Sequence, residues 1–106
     1  MRVALGPIAI FGRRNGLPHA RLGLSVGRPV GHAPARNRAK RVIRESFRLL
    51  QHEIPVAEPV ETLGGLDLIV SVKPHEPREQ SWYQETLRTL IQQLHERWQR
   101  RERRGE

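Results

Sequence analysis

The residues best placed to do chemistry in this sequence are cations in register. Arg36, Lys40, Arg44 and Arg48 recur every four positions, and Arg41 falls beside them. At about 100° per residue these side chains descend one side of a helix. Ala39, Val42, Ile43, Ser46, Phe47 and Leu50 fill the opposite side, the pattern of a helix packed on a sheet. Like charges at this spacing each cost about 0.2–0.5 kcal/mol in an isolated helix. Only Glu45 stands near enough to neutralise them, so bound phosphate is the expected counterweight. A merely solvated face is the alternative, but such faces usually mix signs.

The rest of the composition points the same way. Lys and Arg number 19 against 11 Asp and Glu, a net charge of +8. A small domain this basic repels itself, which a polyanionic partner relieves; nucleic acid comes first and an anionic membrane surface second. Of the cations 17 are Arg and 2 are Lys. The guanidinium fork suits phosphate and stacks on bases. A genome rich in arginine codons accounts for the excess equally well, so the excess alone decides little.

Other chemistries find little support. A metal-dependent nuclease needs clustered carboxylates, yet Asp67 is the sole aspartate and the glutamates are scattered. His19, His32, His52, His75 and His95 show no metal-ligand spacing and read as surface or cap residues. No glycine-rich phosphate loop precedes a lysine, and no nucleophile elbow is present. The expectation is no catalytic residue, no metal site, no cofactor and no small-molecule substrate. The absence of cysteine rules out disulfides and thiolate-ligated zinc. No apolar run approaches the roughly 20 residues of a membrane helix, so no membrane association is expected. Val3 to Phe11 is short, holds Gly6 and Pro7, and lacks the cleavage site of a signal peptide. A cytoplasmic location is the default.

These residues need elements to position them. At 106 residues the chain has room for a single domain, 1–106, with a core over about 7–98 and a basic tail over 99–106. Residues 7–12 read as a strand. Asn15-Gly16 is a hairpin signal, and residues 20–27 alternate in character as a returning strand. After Arg28-Pro29 and Pro34 the spacing predicts a helix from about Pro34 to His52. Residues 55–65 form a loop. Leu66 to Val72 is nearly continuous in apolar character, as in a strand buried on both faces. Ser81 and Gln84 fit a capping box before a second helix over roughly 82–101, carried by Leu87, Leu90, Ile91, Leu94 and Trp98. The basic end, Arg97 to Arg104, is expected to fray. This order of elements predicts an α+β fold, a two-layer sandwich of a small sheet and helices.

One stretch is more specific than any of this. Gly23-Leu24-Ser25-Val26, then Gly31-His32-Ala33-Pro34-Ala35-Arg36-Asn37-Arg38-Ala39-Lys40-Arg41-Val42-Ile43-Arg44-Glu45-Ser46-Phe47-Arg48, resembles the signature of the bacterial ribonuclease P protein component. That signature runs G-L-S-V, two basic residues, an apolar residue and glycine, then A-x-x-R-N-R-x-K-R-x-x-R-E-x-F. Gly65 to Val70 is similar to the family's next strand and Ser81 to Trp98 to its final helix, so the resemblance covers about Pro7 to Trp98.

The resemblance implies an RNA-binding subunit that assists a catalytic RNA in removing the 5′ leader of precursor tRNA, so its partners are that RNA subunit and precursor tRNA. It implies that Arg36, Asn37, Arg38, Lys40, Arg41, Arg44, Arg48 and Arg28 meet RNA, and that the Mg²⁺ ions belong to the RNA subunit. It implies a mixed sheet with a left-handed βαβ crossover, against the general right-handed rule. Phe11 matches an aromatic position in the family's cleft for the single-stranded leader, although a plain core role fits it equally. Three departures stand out. The sequence starts almost at the first strand, where the family has an amphipathic N-terminal helix, which leaves open a misplaced gene start, a fragment or an incomplete cleft. Arg28-Pro29 replaces a basic pair, and His32 replaces a common asparagine, so a weaker helix cap is expected.

Three other readings compete. A structural RNA-binding protein of ribosomal type shares the charge but does not require G-L-S-V at its distance from Arg36. An independent protein nuclease is disfavoured by the lone aspartate. A membrane-surface helix needs cations that flank its apolar face.

Overall fold

The structure is a computed structural model that describes residues 1–105. Strand β1 (Arg2–Leu5) turns into β2 (Ile8–Arg14) through Gly6 and Pro7. Gly6 has φ +59°, the left-handed conformation that a two-residue hairpin turn of the primed type requires at its first loop position. β3 (Arg21–Val26) leads through a 3₁₀ turn at Arg28–Val30 into helix α1 (Ala33–Leu50). A further 3₁₀ turn at Gln51–Glu53 and a loop follow, then β4 (Leu66–Val72) and helix α2 (Gln80–Arg103).

The four strands form one sheet in the order β1-β2-β4-β3. β4 runs antiparallel to β2 and parallel to β3, so the sheet is mixed. The β3-α1-β4 segment is a βαβ unit between adjacent parallel strands. Both helices cover one face of this sheet, α1 over β3 and α2 over β1 and β2, which makes the two-layer α+β sandwich expected. Ile8, Ile10, Leu66, Leu68, Val70 and Val72 from the sheet meet Ile43, Phe47, Leu50, Leu87, Leu90 and Leu94 from the helices in one core.

Several sequence expectations require correction. The strands on either side of Asn15-Gly16 are not a hairpin, because β4 lies between them. Asn15 instead closes a local turn, accepting from the Leu17 amide at 2.8 Å, and donates to Asp67 Oδ1 at 3.1 Å. The strand β1 went unread; its residues belong to the true hairpin. β4 keeps its predicted limits, but it is buried on one face only, with Ile69 52% exposed. Glu79, not Ser81, occupies the N-cap of α2, and no side-chain cap bond forms there. The expected fraying does not begin before Arg103. His32 is the N-cap of α1 and makes no side-chain cap bond, in line with the weakened cap.

The helix α2 is held at both ends of its contact with β2. Leu94 approaches so closely that a Cβ on Gly12 would lie 2.2 Å from its Cδ2, and the Trp98 indole N–H donates to the Gly12 carbonyl at 3.1 Å. Beyond it, the Arg14 guanidinium points into the helix layer. It donates to both carboxylate oxygens of Glu102, at 2.8 and 3.2 Å, and lies 3.4 Å from His95 Nδ1. The Arg14 side chain is only 6% exposed and that of Glu102 18%. This forked pair ties the last turn of α2 to β2.

Candidate nucleic-acid interface

The column on α1 is built as its periodicity requires. Ala39, Ile43, Ser46, Phe47 and Leu50 are buried, and the Ser46 hydroxyl donates to the Val42 carbonyl at 2.8 Å, so it carries no unmet polar cost. Asn37, Arg38, Arg41, Arg44 and Arg48 are exposed, while Arg36 and Lys40 are half-buried at the border of the packed face. Among the described residues no carboxylate pairs with Arg36, Lys40, Arg41 or Arg44. Arg38 donates to the Arg78 carbonyl at 3.1 Å, which leans it toward the start of α2.

Arg48 departs from the expected column. Its guanidinium forks onto Glu45 at 3.0 and 2.5 Å, one turn away, so this cation is already partnered. The Glu45 carboxyl is lowered from its ordinary pKa by those hydrogen bonds. Arg28 stands apart, exposed in the 3₁₀ turn before α1. A shallow groove of ≈ 510 Å³ lined by Arg41, Arg44 and Arg48 with Val42, Glu45 and Gln80 runs beside the column.

The second surface is the sheet face that the helices leave open. Strand alternation sends Phe11, Ile69 and Asp67 outward, and the register sets Phe11 opposite Ile69 and Ile69 opposite Gly23. Phe11 is 43% exposed, and Gly23 contributes no side chain to the floor. The result is a cleft of ≈ 410 Å³ lined by Met1, Phe11, Arg13, Arg21, Leu22 and Ile69, among others. Arg2 holds its guanidinium 5.8 Å from the Phe11 ring centroid, a cation–π arrangement at the β1 side. An apolar floor with cations around it suits a flat aromatic group that carries phosphate.

Phe11 is thus a surface residue and not part of the core. Ile69, Arg2, Arg13, Arg21 and Gly23 are not among the expected site residues. The shared odd-numbered face of β3 and β4 marks Ile69, Arg21 and Gly23, and the alternation of β2 marks Arg13 beside Phe11, whereas Arg2 sits on the strand that the sequence reading lacks. The lone aspartate serves this wall structurally. Asp67 accepts two hydrogen bonds from Arg21, both at 2.7 Å. These first, helped by Asn15 and the charge of Arg13, hold its carboxyl at about 2, against an ordinary 3.8 and in spite of partial burial.

That shift has a sign. A depressed carboxyl adds stability above its unfolded value of 3.8, and the contribution disappears as pH falls toward about 2. Asp67→Asn is expected to flatten the loss of stability between pH 4 and 2. Urea midpoints across that range check it; parallel curves for the two proteins would show that the pairing does not survive in solution.

Among the described residues no group of three or more His, Asp or Glu side chains is placed to hold a metal ion. No helix among them is long and apolar enough to cross a membrane.

An open-faced mixed sheet, backed by a helix that turns unpaired cations to solvent, defines a class of small basic α+β domains shaped to meet a polyanion. Within that class, the sequence pattern of the family described as Ribonuclease P matches residues 1–95. The chain belongs to the ribonuclease P protein family.

Relatives and solved structures agree. The chain is 50% identical over 71 residues to the ribonuclease P protein component of Erwinia tasmaniensis, covering 62% of this chain and 60% of that protein. It is 50% identical over 58 residues to the Escherichia coli component, covering 54% and 49%. The chain therefore spans from about half to three-fifths of the length of these curated relatives. The solved RNase P protein from Thermotoga maritima superposes with a TM-score of 0.74 at 28% identity, covering 88% of this chain and 82% of that one. The Staphylococcus aureus protein superposes at 0.64 and 27%, covering 87% and 78%.

Proposed function

We propose that this chain is the RNA-binding protein subunit of a ribonuclease P holoenzyme, an endoribonuclease that removes the 5′ leader of precursor tRNA in the cytoplasm. Arg36, Asn37, Arg38, Lys40, Arg41 and Arg44 bind the catalytic RNA subunit, with Arg28 beside them; Arg48 joins only by giving up Glu45. The cleft at Phe11 and Ile69 takes the single-stranded leader. The chemistry belongs to the RNA subunit and its Mg²⁺ ions, and the protein's part is to relieve repulsion between two RNAs and to position the substrate. The observation that carries this reading is the placement of the two surfaces on opposite sides of the domain. The helix column faces away from the sheet, and the cleft faces away from the helices, so one molecule can hold both RNAs at once.

Reconstitution tests it. The protein, a bacterial ribonuclease P RNA and a precursor tRNA are combined at low Mg²⁺, and 5′ cleavage is expected to exceed that of the RNA alone. Equal rates would remove the reading. Arg36→Ala and Arg44→Ala are each expected to weaken binding to the RNA subunit and to make its salt dependence shallower by about one unit per lost phosphate contact. Unchanged slopes in both would show that this face does not touch phosphate.

A further inference from the structure

The last turns of α2 carry charge that the functional reading leaves unused. Arg97, Arg100, Arg101 and Arg104 follow one another at helical spacing and fall within an arc of about 100°. Leu94 and Trp98 point into the domain, and Glu102 is drawn to Arg14 on a different side of the helix. No carboxylate among the described residues pairs with Arg97, Arg100 or Arg101.

This stripe is held in place and not loose. Arg97 donates to the Arg2 carbonyl at 3.3 Å, fixing it against the edge strand β1. Arg101 lies 5.2 Å from the Trp98 ring centroid, and that indole is itself bonded to the Gly12 carbonyl. The stripe lines a concavity of ≈ 530 Å³ whose remaining wall is Met1. Met1 also lines the Phe11 cleft, so the two depressions share a wall at the edge of the sheet. The stripe lies past residue 95, outside the stretch that matches the family pattern.

We infer that the α2 stripe is a second binding surface for single-stranded RNA, one that takes the phosphates of leader nucleotides leaving the Phe11 cleft over the β1 edge. The cleft offers a ring and an apolar floor, which suit bases. The stripe offers the guanidinium groups of Arg97, Arg100 and Arg101, with Arg104 beyond them, and no apolar floor, which suits a backbone. A strand that stacks on Phe11 and continues past Met1 meets Arg97, Arg100 and Arg101 next. This inference rests on the leader occupying the cleft.

The test uses the reconstituted holoenzyme and three RNAs: a precursor with a long leader, one with a leader of a few nucleotides, and mature tRNA. The variants are Arg97→Gln/Arg100→Gln/Arg101→Gln, and Arg100→Gln/Arg101→Gln, which spares the bond from Arg97 to β1. The triple variant is expected to weaken the long-leader precursor selectively and to make its salt dependence shallower by about two units, as for three contacts to a single strand. The double variant should show a smaller change in the same direction.

Equal loss for all three RNAs would mean that the stripe meets the RNA subunit or the tRNA body, and no loss would mean that it meets none; either result overturns the inference. Phe11→Ala, measured alongside, separates the two claims. A leader effect at Phe11 with none at the stripe refutes the stripe alone. No effect at Phe11 refutes the cleft reading and the stripe with it.

Discussion

Replacing Phe11 with alanine is expected to weaken binding of a leader-bearing precursor by the holoenzyme roughly 5- to 150-fold. Affinity for mature tRNA should be unchanged. The magnitude follows from the loss of one base stacked on an aromatic ring, about 1–3 kcal/mol. No other aromatic among the described residues lines the cleft to replace that stack. Stability should barely change, since the ring is 43% exposed and its strand is held by neighbours on both sides. Phe11→Tyr keeps the π face and should bind as the parent does. Phe11→Leu keeps the apolar volume and should not. Equilibrium binding of the two RNAs to each holoenzyme decides the matter; a Phe11→Ala protein that holds the precursor normally would show that no base rests there.

The second large effect concerns stability. Glu102→Ala strands the Arg14 guanidinium, only 6% exposed, with a distant Gly64 carbonyl at 3.4 Å and the side chain of His95 for company. Removing one partner of a buried pair costs about 3 kcal/mol or more. In a domain of this size that lowers Tm by about 12 °C or more. Arg14→Ala should cost less, because Glu102 is 18% exposed and can turn to water. Arg14→Met/Glu102→Leu should recover much of the loss, since an apolar pair of similar bulk leaves no charge unmet. Thermal melts of the four proteins form a double-mutant cycle. A loss below about 1 kcal/mol for Glu102→Ala would show that the pair is wet and unimportant.

The helix bearing the cations was legible because periodicity is a local property. Ala39, Ile43, Phe47 and Leu50 mark its buried side whatever they pack against, and the observed limits differ from the expected ones by two residues or fewer. β4 was legible in extent for the same reason. What it packs against was not. A continuous apolar run reads as doubly buried, yet Ile69 faces solvent, and that apparent excess of apolar surface is the floor of the cleft. Asn15-Gly16 misled because a turn signal reports a change of direction and says nothing about which strands then pair. β4 pairs with β3 across 46 residues of sequence and with β2 across 52 or more, and so separates the two strands. α2 runs to Arg103, and its last turn is tied at Glu102 to Arg14, 88 residues distant, a contact that no local window of sequence contains. Arg48 was the readable miss. Glu45 stands three residues before it, within one turn, and neutralises it.

The order of the strands also sets an order of events as the chain leaves the ribosome. β4, one of the two interior strands of the sheet, is the last of the four to be synthesised, and both of its neighbours precede α1. Until residue 72 has emerged, β3 has no partner at all and β2 has only the short hairpin with β1. A two-stranded hairpin is marginal by itself. The floor at Ile69 and the clamp from Asp67 to Arg21 are therefore created in one late step, when the centre of the sheet closes. A nascent chain can expose its cationic helix segment well before it has any groove to offer.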